Sequence, residues 1–245
     1  MKNEEIKPCR KRGHGFWQGL LKIFIRKPRF MFLGEEKFEK GSIILSNHVG
    51  KSAPLMLDLY LDIPFRFWGA HEMNDGLKSL YKYQSEVFYH QKSHWPLFWA
   101  RLFCLIASPI TYFFYKGLNL ISTYKDHRFK RTIKESIETI KKEQSVVIFP
   151  EDSDKGYFDN LTGFHAGFAI LGKTCYKKGI DTRVYVTYLN KKKKVYVIDK
   201  PILFSELIKD GFDREKIARK LCDRANELQN TKLTLIKLKY FLHTI

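Results

Sequence analysis

Cysteine is scarce in this chain, and the few cysteines stand apart. Cys9, Cys104, Cys175 and Cys222 form no C-x-x-C and no paired spacing with histidine. That argues against zinc and iron–sulfur centres and fits a reducing cytoplasm. No metal and no resident cofactor is expected. The first fifteen residues are polar and lack the apolar core of a secretory signal. There is no Gly-rich phosphate loop, no Gly-x-Ser-x-Gly elbow, no internal repeat and no low-complexity tract. Acidic residues are few as well: 26 Asp+Glu face 44 Lys+Arg, a formal charge of +18.

What is present is basic and aromatic. The 245 residues hold 20 Phe, 13 Tyr and 4 Trp. That length is one large domain, or one with an added subdomain. Strong positive charge points to an anionic partner, nucleic acid or an anionic membrane face. Trp and Tyr suit the headgroup interface, which favours the membrane. A general compositional bias toward Lys, Phe, Tyr and Ile explains the charge equally well. The basic residues are spread along the chain without a nucleic-acid motif, so no nucleic-acid partner is expected.

Three parts are expected. Residues 1–27 read as a basic arm, with Lys7, Arg10, Lys11 and Arg12, followed by an apolar helix beginning at Phe16 and Trp17. Cations on both sides fit an interfacial anchor; a helix packed on the protein's own core is the alternative. Residues 28–230 alternate strand and helix, so the fold class is α/β, a mixed, largely parallel central sheet flanked by helices. Residues 231–245 form a basic, apolar tail. An apolar insertion at about 74–116 interrupts the domain. Its core, Trp95 to Tyr115, includes Trp99, Arg101 and Pro109. As one helix it would reach roughly 31 Å, about a hydrocarbon core. Arg101 and Pro109 disfavour a clean span. The reading is a membrane-dipping or interface-lying helical pair, or a buried pair covering the site.

Two strand ends carry candidate chemistry. Ile43 to Leu45 is a short buried strand ending in Asn47-His48-Val49-Gly50, and Pro54 opens a helix. A histidine at a strand end facing a helix start is a candidate base, or a capping structural residue. Val146 to Phe149 is a second buried strand, running into Pro150-Glu151-Asp152-Ser153-Asp154-Lys155. Between them, Lys125 to Gln144 has the stripe Phe129, Ile133, Ile137, Ile140 of an amphipathic helix.

The order Gly-Ser-Ile-Ile-Leu-Ser-Asn-His48, then Gly117-Leu-Asn-Leu-Ile, an amphipathic helix, then Val-Val-Ile-Phe-Pro-Glu151 resembles the phospholipid/glycerol acyltransferase family, relatives of lysophosphatidic acid acyltransferase. The resemblance covers about residues 28–205. It implies a general base at His48, an acyl thioester donor (acyl-CoA or acyl-ACP) as co-substrate and a lipid-like acceptor. Acyl carrier protein would be a possible partner. It implies a position at the cytoplasmic face of a membrane, on an anionic surface. Acceptor and donor contacts would come from Asn47, Lys51, Ser52, Gly117, Phe149, Pro150, Ser153 and Lys155.

Three departures stand out. The family's H-x-x-x-x-D aspartate is Ala53 here, and Thr123 stands where the Gly117 segment should end in arginine. The glycine, threonine and arginine after Phe-Pro-Glu are Asp152, Ser153 and Asp154. Loss of an orienting carboxylate costs on the order of 10⁴ in rate in a serine-protease triad. Asp58 lies about 140° around the helix from Ala53, which leaves Glu151 or Asp152 to serve as the acid. The alternative is a catalytically inactive, lipid-binding relative of the same fold.

Overall fold

The computed structural model describes residues 10–231 other than 12, 35, 36, 153–155, 157, 210 and 212. Expectations for Lys7, Arg12, Ser153, Lys155 and the tail beyond Thr231 lie outside the described residues.

The sheet is built around β2 (Ile43–Ser46) and β5 (Ser145–Ile148), buried throughout, and β6 (Arg183–Asn190), buried bar its end residues. Strands buried on both faces read as unbroken apolar runs, which is how they appear in the sequence. β1 (Arg29–Phe32), β3 (Phe65–Ala70), β4 (Ile121–Thr123), β7 (Val195–Ile198) and the short β8 (Ile202–Leu203) complete it. The order is β1-β7-β6-β2-β5-β3-β4, with β8 beside β6. β7 and β8 run antiparallel to β6, and the other neighbouring pairs are parallel. The sheet is therefore mixed and largely parallel.

Alternate residues feed two apolar layers. Ile43, Leu45, Val146 and Val184 face one, with α5 (Phe129–Lys141), α6 (Gly167–Lys177) and α8 (Arg214–Gln229). Ile44, Val147 and Tyr185 face the other, with Ala53 and Leu57 of α2 (Ser52–Tyr60). The expected stripe of α5 is inward: Ile133, Ile137 and Ile140 are buried, and Phe129 packs against the same layer. Asp213 caps α8 by accepting from the Lys216 N–H at 2.8 Å. The lysines at 191–194 form an exposed turn between β6 and β7.

The insertion differs from its sequence reading. Residues 71–92, without clear periodicity, form a 3₁₀ turn (His71–Met73), α3 (Leu77–Lys82) and a π-helix (Tyr83–Lys92). A π-helix repeats its side chains out of step with the 3.6 pattern, which hides it from a periodicity reading. Trp95 to Tyr115 is not a helical pair. From Leu97 on it belongs to one 22-residue helix, α4 (Leu97–Leu118), that runs through Pro109. Its partner is the α3–π segment. Asn119, with φ 53°, ends α4 in the left-handed conformation that asparagine tolerates.

Within the described residues, Arg10 and the start of the apolar helix are tied to the domain. Arg10 Nε donates to Asp58 Oδ1 at 2.9 Å, and Arg10 Nη1 to the Phe65 carbonyl at 2.8 Å. His14, at the start of α1 (His14–Phe24), sets Nε2 2.9 Å from Asp58 Oδ2. Gln18 Nε2 donates to the Asp58 carbonyl at 2.8 Å. Asp58 thus docks α1 onto α2.

Candidate active site

Parallel pairing of β2 with β5 aligns Leu45 with Ile148. The same register, extended past both strands, brings His48 opposite Glu151. The His48 main-chain N–H donates to Glu151 Oε2 at 2.9 Å. Two turns that are about a hundred residues apart in sequence therefore meet at the C-terminal edge of the sheet, where α/β folds place their ligands.

Asn47 is the bracket that holds the first turn. Its side-chain Oδ1 accepts from the Leu189 N–H at 2.7 Å, and its Nδ2 donates to the Leu189 carbonyl at 3.2 Å. The amide thus extends the sheet pairing to β6 one step beyond the strand. Both ends of its amide are engaged with main chain, and the side chain holds the turn in place. Val49 and Gly50 then turn with φ of 45° and 63°. A β-branched residue is an outlier there, the kind of strain that functional turns hold. The turn swings the Gly50 carbonyl back onto His48 Nδ1. The imidazole also packs on Phe149, with ring centroids 4.9 Å apart.

The expected acid partner therefore meets the histidine differently. Nδ1 is hydrogen-bonded to a neutral carbonyl, and Glu151 reaches the main chain of His48. Burial lowers the His48 pKa to about 4, and the nearby Lys92 charge adds to this. The ring is neutral at pH 7. With Nδ1–H directed to Gly50, its lone pair is on Nε2. Burial raises the Glu151 pKa, while hydrogen bonds from the His48 and Phe158 main chain oppose the rise. Glu151 also forms an isolated bridge with Phe164. Asp152 is exposed, its N–H donating to the Gly163 carbonyl at 2.9 Å.

Ala53 is fully buried in the apolar layer. Its carbonyl accepts from the Tyr196 hydroxyl at 3.4 Å, and that hydroxyl lies 3.1 Å from Ser46 Oγ. The helix begins at Ser52, before Pro54, and Lys51 caps it without a side-chain bond. Alanine is thus an interior residue here and not the cap. Lys51 is exposed and Ser52 half-buried beside the turn. Phe149 and Pro150 line the second strand end, and the Pro150 carbonyl accepts from His165 N–H at 2.7 Å.

Gly117 does not join this site. It lies within α4, before β4, toward the opposite edge of the sheet. A Cβ there would fall 2.6 Å from His14 Nδ1, so the glycine admits the His14 ring. Thr123, in the place of the family's arginine, donates its hydroxyl to the Gly69 carbonyl at 2.9 Å. Phe16, Trp95 and Trp99 are exposed, while Trp17 is half-buried against Phe114, ring centroids 6.5 Å apart. Among the described residues no group of three or more His, Cys, Asp or Glu is placed to hold a metal.

Sequence reasoning missed Gly50, Lys92 and the Asp58 cluster. The positive-φ pair Val49-Gly50 left only a glycine as its signal. The Asp58 contacts span 40 residues or more and left none.

No protein-family model matches the chain, and a search of curated proteins returns no match.

Proposed function

We propose that this chain is an O-acyltransferase acting on a lipid or glycerol-type hydroxyl at the cytoplasmic face of a membrane, held peripherally or monotopically. The observation that carries the proposal is the His48 imidazole, oriented by the Gly50 carbonyl, at a strand-end edge shared with Glu151. In this reading His48 Nε2 takes the proton of the acceptor hydroxyl. The oxygen attacks the carbonyl carbon of an acyl thioester on coenzyme A or acyl carrier protein. A C–O bond forms, the C–S bond breaks, and the imidazolium returns the proton to the departing sulfur. Gly50 does the orienting work of the motif aspartate without its charge. The imidazolium is then less stabilised, and a slow enzyme is expected. With Asp152 where a phosphate-binding residue belongs, the acceptor is uncharged or cationic at that point, since like charges repel.

The test is transfer of labelled acyl groups from acyl-CoA and from acyl-ACP to a panel of neutral, cationic and phosphorylated acceptors. Wild type should exceed His48→Ala. Equal, background-level transfer by both overturns the proposal.

A second reading, a lipid-binding relative without catalysis, is favoured by one observation. Ala53 is sealed in an apolar layer, and the Nδ1 partner is uncharged. It predicts vesicle binding with no transfer to any acceptor.

A further inference from the structure

The helix α4 is long and apolar enough to cross a membrane by length and composition, yet its contacts give it a different task. We propose that the outward faces of α1 and α4 form one surface that inserts into a single leaflet of an anionic bilayer, with α4 lying along the leaflet. This deepens the membrane placement above by naming the surface, its depth and the lipid charge. It does not depend on acyl transfer.

The polarity of α4 is inverted. Its outward face carries Phe98, Ile106 and Phe113, which are 68%, 73% and 62% exposed, together with Trp99, Leu102 and Leu105. Its inward face carries Ala100, Cys104, Ser108 and Gly117, all buried. Ser108 Oγ donates to Gln84 Oε1 at 2.8 Å, and Gln84 Nε2 to Thr111 Oγ1 at 2.9 Å. A helix in water turns its apolar stripe inward. Apolar outside with small and hydrogen-bonded polar residues inside is the arrangement of helices packed in lipid.

α1, packed beside α4, has an exposed apolar face of its own. Phe16, Leu20, Ile23 and Phe24 recur at helical spacing and are exposed, Phe24 at 77%. α1 meets α4 through Trp17 on Phe114 and His14 against Gly117. The Asp58 bonds to Arg10, His14 and Gln18 fix it there.

Charge selects the lipid. No Asp or Glu occurs in residues 10–34 or 87–125. Lys11, Lys22, Arg26, Lys27 and Lys116 are exposed around the apolar faces. Arg101 is neutralised by Glu86 at 3.1 Å. Such cations attract an anionic leaflet and lose their hold as salt rises.

The C-terminal end of α4 and the residues leading into its N-terminal end approach the same body. Gly117 packs on His14 at one end. At the other, the Lys92 carbonyl and His94 ring lie about van der Waals distance from a Cβ built on Gly156, in the loop after β5. A helix with both ends on one domain runs along that domain and leaves neither end across a bilayer.

The experiment uses the full chain and flotation with phosphatidylcholine vesicles, with or without phosphatidylglycerol. Binding is expected at low salt with phosphatidylglycerol and reduced by salt. F98S/I106S/F113S and F16S/F24S should each weaken binding by about tenfold or more, given that each phenyl or butyl group contributes appreciably when buried. Gln84→Leu, an inward change, should retain the lipid preference. In a Cys9→Ser background, where Cys104, Cys175 and Cys222 are buried, a cysteine introduced at Ser93 and one introduced at Lys116 should both react with an impermeant thiol reagent added outside the vesicles. Absence of binding, equal binding to both vesicle types, or protection of one cysteine alone overturns the proposal. So does a wild-type dimer that F98S/I106S/F113S converts to monomer while vesicles bind neither. Acyl transfer is not a readout, so failure of this proposal is distinct from failure of the enzymatic one.

Discussion

The main-chain N–H of His48 is held by Glu151 Oε2 at 2.9 Å. One carboxylate thereby fixes the position of the first turn relative to the second, leaving the imidazole to the Gly50 carbonyl. Glu151 is buried, and its pKa is raised by that burial.

Replacing Glu151 should therefore separate hydrogen bonding from charge. Glutamine keeps an acceptor for the His48 N–H; alanine leaves a buried donor unmatched, a cost of about 1–3 kcal/mol. For a chain of this size that is roughly 2–12 °C in Tm. A group with a raised folded pKa gives stability below its unfolded pKa and loses it as pH rises through the folded value. Glu151→Gln should then match or exceed wild type in thermal melts at pH 7 to 8, and Glu151→Ala should melt lower. Equal melting of the alanine variant and wild type would refute the locking role.

His48 makes the opposite pH contribution. Its folded pKa is lowered to about 4 from 6.5. Between those values the unfolded chain binds the extra proton, so stability rises with pH. The contribution is present above about 6.5 and lost as pH falls through about 4. Denaturant melts of wild type and His48→Asn across this window should show a shallower pH slope in the variant. Parallel slopes would mean that the imidazole is not buried in its neutral form.

Ala53 offers a test of whether the motif aspartate is simply missing. Its side chain has no exposure and lies with Ile44, Leu57 and Tyr196. Ala53→Asp would place a carboxyl in that layer, where an ionised group is disfavoured unless paired. The expected result is a lower Tm by several degrees and no gain in acyl transfer. A stable variant with faster transfer would restore the family's arrangement and contradict the packing argument.

The parts legible in the sequence are those governed by local pattern. Ile43–Leu45 and Val146–Ile148 announced buried strands, and Ile133, Ile137 and Ile140 announced a helix face. His48 and Glu151 were picked out as strand-end residues, and their meeting follows from parallel pairing of the two strands. What was hidden depends on backbone or on distance. The Gly50 carbonyl partners His48 only because Val49 and Gly50 take positive φ, which a side-chain pattern does not encode. Gly117 was matched by its neighbours to a ligand segment, yet its smallness serves His14. Pro109 was read as disfavouring a clean span, and α4 continues through it at the loss of one main-chain bond.

Asp58 carries the last prediction. Its side chain lies between Arg10 and His14, at 2.9 Å from each, with side-chain exposures of 1% for Asp58, 8% for Arg10 and 0% for His14. Removing one member of a buried ionic cluster costs about 3–5 kcal/mol when the others stay buried. Here they need not stay, because α1 can leave α2 and carry Arg10 and His14 into water. The cost is then limited to the docking energy of α1, and the response is local. Asp58→Asn should speed amide hydrogen exchange throughout α1 and at Arg10 and Lys11, while β2, β5 and β6 keep their protection. Vesicle binding should weaken too, since α1 would no longer present Phe16 and Phe24 in line with α4. Unchanged exchange in α1, or a uniform loss of protection across the sheet, would rule out Asp58 as the joint between the two helices.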